Sequence, residues 1–197
     1  VSGAEPYLDP ADVIEPLELI RSSLVEVGAA DVAQGELTDI LRRLAIFGLT
    51  LARIDLRQES TRHTDVLSAV TQHLGLGDYG SWEEAQRLEF LRRELDSRRP
   101  LIPRDLSTSE EVRDVLDTLE VAREQGSGSL GAYVISMARD ASDVLAVELL
   151  QREAGIDPPL RVVPLFETRD DLERAPVAIA ELLDDPAYRA RNGDEIE

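Results

Sequence analysis

Three apolar runs in this 197-residue chain end beside groups that can do chemistry: Arg57-Gln58, Ser136-Met137 and Glu167-Thr168. A cation, a hydroxyl and a carboxylate suit a small anionic ligand held with a hard metal ion. Arg grips phosphate or carboxylate through its planar fork, and a carboxylate with room for water can hold Mg²⁺. If the three runs are parallel strands, all three groups lie on one rim, because ligands of parallel α/β folds bind at the carboxyl ends of the strands. Each group also has a plainer use. A strand-terminal Glu can cap a helix or simply face solvent, and a strand-terminal Arg can make a structural ion pair. Arg53 and Asp55 read as a buried polar network within a sheet, and His63 as a structural or exposed helix residue. His73 reads as a capping or surface residue, and Asp170-Asp171 and Asp184-Asp185 as solvated charges at helix ends.

The elements that would position these groups follow from periodicity. Apolar residues at helical spacing (Ile14, Leu17, Ile20, Leu24) predict a helix within residues 5–29, and Leu37, Ile40, Leu41, Leu44 and Ala45 predict another from Glu36 to Gly48. The period then changes to two: Ala52, Ile54 and Leu56 alternate with Arg53, Asp55 and Arg57, which predicts a strand over 49–57. A helix to about Leu74 follows. A helical insertion over about 75–128 contains a Gly-rich turn, a capping box at Ser81–Glu84, a break at Arg99–Pro103 and a helix over 108–124. The apolar run Leu130–Ala138 reads as a buried strand, Ser142 as the cap of a helix that stops at Gly155, and 160–166 as a further strand containing Pro164. Thr168 opens the next helix, and Pro176 and Pro186 punctuate the helical tail. The fold class expected is α/β: predominantly helical, with about three parallel strands. A closed eight-stranded barrel needs more strands than three, so part of the sheet, whatever its type, is expected to lie outside the chain. Val1 and the apolar opening at Ile196 suit a fragment.

Composition removes several functions. The formal charge of −19 disfavours nucleic acid and anionic membranes as partners. No apolar run approaches the ~20 residues of a membrane helix. Cys is absent, which excludes disulfides, thiolate metal sites and a Cys nucleophile. All 21 basic residues are Arg, so neither a Schiff-base Lys nor a P-loop Lys occurs in the chain. A cytoplasmic location is expected.

The residues also carry a resemblance. Phe47–Ser60 with Arg62-His63 resembles the FGL-x-L-x-R-x-D-x-RQ-[DE]-S-x-RH segment of phosphoenolpyruvate carboxylases. Tyr133–Ala138 with Ser142–Val147, and Val163–Thr168 with Asp170–Leu172, resemble two later segments of that family, and the likeness covers roughly residues 36–190. Arg169 departs from the pattern, which often has an apolar residue there.

The resemblance implies a mostly helical protein around a β/α (TIM-type) barrel, with the three strands as an incomplete part of that barrel and residues 1–197 as the central part of one catalytic domain. It implies addition of bicarbonate to phosphoenolpyruvate, giving oxaloacetate and phosphate with Mg²⁺ or Mn²⁺, in a homotetramer. Arg57 would then contact the substrate phosphate and Glu167 would be one of two metal carboxylates. The family's catalytic His motif (TAHPT) does not occur in the chain, and its GYSDS-x-KD motif, with the second carboxylate and a Lys, is expected beyond Glu197. No proton-transfer residue of the family is therefore assigned within the chain, and the chain alone is expected to be inactive. The alternative is a non-enzymatic helical interaction module derived from the enzyme, with its acidic faces as the partner surface.

Overall fold

A computed structural model describes residue 7 and residues 9–50, 52–126 and 128–192. Glu5 of the first expected helix, Leu51 of the first expected strand, Ser127 and Ile196 lie outside the described residues. The chain forms two compact units that divide after Arg53.

The first unit holds α1 (Ala11–Glu26), the single turn α2 (Ala30–Ala33) and α3 (Glu36–Phe47). Gly48, at φ +60°, ends α3 where the sequence predicts a stop. Among the described residues of this unit only Ala33 and Leu41 are buried, and Leu19, Ile20, Val27 and Ile46 stand exposed. The expected apolar faces therefore exist, but within this unit they are largely uncovered.

The second unit is a three-stranded parallel sheet in the order β1-β2-β3, with β1 Ile54–Glu59, β2 Leu130–Ser136 and β3 Val162–Pro164. Each strand is followed by a helix: α4 (Ser60–His73), α7 (Ala141–Ala154) and α8 (Arg169–Asp184), with α9 (Pro186–Asn192) at the end. Between α4 and β2 come a 3₁₀ turn at Tyr79–Ser81, α5 (Glu84–Asp96) and α6 (Glu110–Gln125). On β2, Tyr133 and Ile135 are buried while Ala132, Val134 and Ser136 are half-buried, the alternation of a strand with one better-covered face. The core gathers around α7, whose Val144, Leu145, Val147, Leu149 and Leu150 are all buried and which packs on α4, α5, α6, α8 and β3. A buried amide ties this helix to the start of β3: Gln151 Nε2 donates to the Leu160 carbonyl at 3.0 Å, and Leu160 N–H donates to Gln151 Oε1 at 2.7 Å.

Several boundaries differ from expectation. β1 begins at Ile54, with residues 49 and 50 in a turn and bend, and it runs past Arg57 to Glu59. The ladder to β2 shifts register between Ile54 and Leu56, and the Asp55 carboxylate accepts from the Ala132 N–H at 2.8 Å. Arg53 and Asp55 are exposed, so they do not form a buried network. Regular pairing of β3 ends at Pro164, which has no N–H to give. Ser81 does not cap α5. Its hydroxyl donates to the Asp78 carbonyl, and the capping box forms two residues later from Glu83 and Gln86. Ser142 does not cap α7 either: Asp140 does, boxed with Asp143, while Ser142 lies inside the first turn and binds Glu84 through both N–H and Oγ. Glu84 offers two oxygens to those donors, a tertiary partner that local spacing does not reveal. Gly155 ends α7 in the left-handed conformation, as expected. Pro176 lies inside α8 rather than breaking it.

Candidate functional site

The carboxyl ends of the three strands bring together Arg57 from β1, the Ser136-Met137 segment from β2, and Glu167, which follows β3 immediately before α8. Arg57 Nη2 donates to Glu167 Oε1 at 2.9 Å across 110 positions of sequence. Met137 N–H donates to the other oxygen, Oε2, at 3.0 Å. Both charged side chains remain open to solvent, at 59% exposure for Arg57 and 36% for Glu167. Each carboxylate oxygen thus spends one acceptor direction inside the protein and keeps another free, and the guanidinium keeps donors beyond the one given to Glu167.

Local structure explains why Glu167 stands where it does. Thr168 is the N-cap of α8: its hydroxyl accepts from the Asp171 N–H at 3.1 Å, and the Asp171 carboxylate accepts from the Thr168 N–H at 3.0 Å. This box fixes the residue adjoining Glu167. Asp171 is buried, with Arg139 Nε 3.6 Å from its carboxylate, rather than a solvated end charge. The Thr168 hydroxyl and amide, with Arg139 adding to them, hold its carboxyl below the usual range. Asp185 is also buried, binding Arg92 and the N–H groups of Ala187 and Tyr188 at the start of α9. Each of these aspartates acts as a helix cap, a role open to any Asp just before or within a first turn.

His63 is buried one turn into α4, and its Nε2 lies 2.9 Å from the Tyr133 hydroxyl of β2. Burial lowers its pKa to about 4, so it is neutral at neutral pH, and burial likewise pushes the Tyr133 hydroxyl up. It joins helix to strand beneath the rim. His73, in the last turn of α4, is exposed, with Asp105 3.7 Å away.

Sequence spacing marks Ser136-Met137 as a strand end but does not reveal two contacts made there. Met137 takes a φ of +55°, and its N–H, not its side chain, meets Glu167. Ser60, nearly buried at the start of α4, donates its hydroxyl to the Met137 carbonyl at 2.8 Å. Ser60 lies three residues after Arg57, at a strand-to-helix junction, and that placement is the one available signal. No cluster of three or more His, Asp or Glu side chains forms a metal-ligand set among the described residues. Glu167 by its chemistry fits as a single hard oxygen ligand. No helix among the described residues is long and apolar enough to cross a membrane.

Comparison with known proteins points to one family. The family model for phosphoenolpyruvate carboxylase matches residues 1–195. The chain is 56% identical to phosphoenolpyruvate carboxylase 2 of Arabidopsis thaliana over 183 residues, 92% of this chain and 19% of the relative. It is 53% identical to phosphoenolpyruvate carboxylase 1 of Chlamydomonas reinhardtii over 94% of this chain and 19% of the relative. For the phosphoenolpyruvate carboxylase of Alcanivorax borkumensis the identity is 53%, over 97% of this chain and 22% of the relative. The chain therefore spans about a fifth of the length of the relatives it matches. With a family match that runs nearly end to end, this chain belongs to the phosphoenolpyruvate carboxylase family.

Proposed function

We propose that this chain supplies one segment of the active site of a phosphoenolpyruvate carboxylase, and that its three parallel strands are part of a β/α barrel within one catalytic domain. The observation that carries the reading is the meeting of Arg57 and Glu167 at the carboxyl-end rim, 2.9 Å apart. Arg57 would grip the phosphate of phosphoenolpyruvate. The guanidinium has five donors in a fixed fork, so one can stay on Glu167 while the others take phosphate oxygens. A local cation matters in a chain of net charge −19, whose overall field repels an anionic substrate. Glu167 would hold Mg²⁺ or Mn²⁺ through the free directions of its carboxylate, and the bound ion would neutralise charge on the substrate oxygens. Thr168 and Asp171 keep α8 in register so that Glu167 faces the rim. In this reading a polypeptide of family length, a cytoplasmic homotetramer, adds bicarbonate to phosphoenolpyruvate to give oxaloacetate and phosphate. The chain alone lacks the residues for proton transfer and stays inactive.

The test uses a polypeptide of family length carrying this chain. Replacing a charged hydrogen-bond donor costs ~1.5–3 kcal/mol, roughly 10- to 150-fold. Arg57→Gln is therefore expected to raise the KM for phosphoenolpyruvate by about that factor while leaving Mn²⁺ affinity in the absence of substrate within about twofold. An unchanged KM would overturn the assignment of Arg57.

A further inference from the structure

The rim contains a backbone irregularity with a specific consequence. Leu165, one residue past β3, donates its N–H to the Ile135 carbonyl at 2.8 Å, and its own carbonyl accepts from the Ala138 N–H at 3.1 Å. In a regular parallel ladder the second bond would come from the N–H of Met137. Met137 is therefore an extra residue, a bulge at the end of β2, and its N–H is released from the ladder. It is also the one non-glycine residue with positive φ among the described residues, at +55°. An L-residue in this left-handed conformation is held there against its intrinsic preference. Two hydrogen bonds hold it there. The Ser60 hydroxyl, nearly buried, donates to the Met137 carbonyl at 2.8 Å, and the freed Met137 N–H donates to Glu167 Oε2 at 3.0 Å.

We infer that Ser60 is a positioning residue: by pinning the bulged Met137 peptide it aims that N–H at Glu167 and fixes the carboxylate at the rim beside Arg57. This rests on the reading of Glu167 as a metal ligand and extends it to the two groups that orient it. The two N–H···O and O–H···O bonds lie on opposite sides of one residue, so loss of the Ser60 hydroxyl lets Met137 relax towards ordinary backbone and rotates its N–H away. The Glu167 carboxylate then keeps only Arg57, and an exposed ion pair orients weakly. Outer groups that orient a metal ligand are commonly worth 10- to 100-fold in metal affinity.

The experiment measures two quantities in a polypeptide of family length that carries this chain: the exchange rate of the Met137 amide, and the affinity for Mn²⁺ alone by electron paramagnetic resonance. Ser60→Ala is expected to speed Met137 exchange about tenfold and to weaken Mn²⁺ about tenfold. Ser60→Thr, which keeps a hydroxyl, is expected to stay within about threefold of the parent on both measures. Met137→Gly in the Ser60→Ala background is expected to recover most of the Mn²⁺ affinity, because glycine adopts positive φ without being pinned. A Ser60 needed only for stability would not be rescued by a glycine at 137. Ser60→Ala that leaves both measures unchanged overturns the inference. Glu167→Gln separates it from the reading beneath. If Glu167→Gln leaves Mn²⁺ affinity unchanged while Ser60→Ala still speeds Met137 exchange, the positioning stands and the metal assignment falls. If Glu167→Gln weakens Mn²⁺ and Ser60→Ala does not, the assignment stands and the positioning falls.

Discussion

Arg57 and Glu167 form an ion pair at 2.9 Å that joins the first strand to the segment after the third, yet both side chains are more than a third exposed. Exposed pairs of this kind contribute ~0–1 kcal/mol to stability, because water screens the attraction and two long side chains are immobilised. The pair is therefore better explained by what it presents than by what it stabilises. Arg57→Gln and Glu167→Gln are each expected to change the unfolding free energy of the chain by less than about 1 kcal/mol. Urea unfolding followed at Trp82, the single Trp of the chain, measures this. A loss above about 2 kcal/mol in either variant would make the pair structural and weaken the case for ligand binding.

Much of the second unit was legible in sequence, and the reasons are physical. β2 is a nearly continuous apolar run, and helical segments separate it from the runs before and after it, so three parallel strands could be expected and are observed. Thr168 opens a helix as expected, although Asp171, expected as a solvated charge, is buried in a capping box with it. Two of the failures have tertiary causes. Ser142 has the right spacing for a cap but is taken by Glu84, 58 positions away. Asp55 was read as buried because it lies in a strand, yet it is exposed and fills a gap where the ladder shifts register. The convergence of Arg57 with Glu167 was legible from strand ends, whereas the Met137 bulge and the Ser60 contact were not, because a positive φ on a Met leaves no mark on the sequence.

His63 makes stability pH-dependent. Burial lowers its pKa from the usual 6.5 to about 4. Between those values the unfolded chain binds the proton and the folded one does not, so stability rises with pH across this window. The contribution is complete above about pH 6.5 and is lost as pH falls towards 4, with a ceiling of about 3 kcal/mol. Urea unfolding at a series of pH values is expected to show this slope in the parent chain and a shallower one in His63→Gln. Identical slopes would mean that other groups dominate the window.

Thr168 ties helix stability to the rim. Its hydroxyl accepts from the Asp171 N–H at 3.1 Å, and loss of an N-cap hydroxyl costs ~0.5–2 kcal/mol. Thr168→Ala is expected to destabilise the chain by about 1 kcal/mol, whereas Thr168→Ser, which keeps the oxygen, should cost less than half of that. The same hydroxyl is the first cause of the lowered Asp171 pKa, with the Thr168 amide second. For a carboxyl held low, stability is present above its unfolded pKa and lost as pH falls through the folded one. The difference between Thr168→Ala and the parent should therefore be full above about pH 4 and shrink in more acidic solution. A difference that grows on acidification would contradict the cap.

Gly131 and Asp55 offer a test of the register shift itself. A Cβ at position 131 would lie 2.2 Å from Asp55 Oδ1, the oxygen that accepts from the Ala132 N–H at 2.8 Å. Gly131 does not have positive φ, so the constraint is space alone. With an added methyl group the Asp55 side chain must rotate out and give up its bond to Ala132, a loss of ~0.5–1.5 kcal/mol for a typical hydrogen bond and ~1.5–3 for one to a charged group. Gly131→Ala is thus expected to destabilise the chain by about 1–2 kcal/mol. Asp55→Ala removes the same bond from the other side and should cost a similar amount. Once the carboxylate is gone, the methyl group at 131 has nothing to displace, so the double variant should cost little more than either single one. The coupling expected from the double-mutant cycle is then about 1 kcal/mol, within the range found for residues in contact. Additive losses would show that Gly131 answers to some neighbour other than Asp55, and that the carboxylate is not what holds β1 and β2 together where their ladder slips.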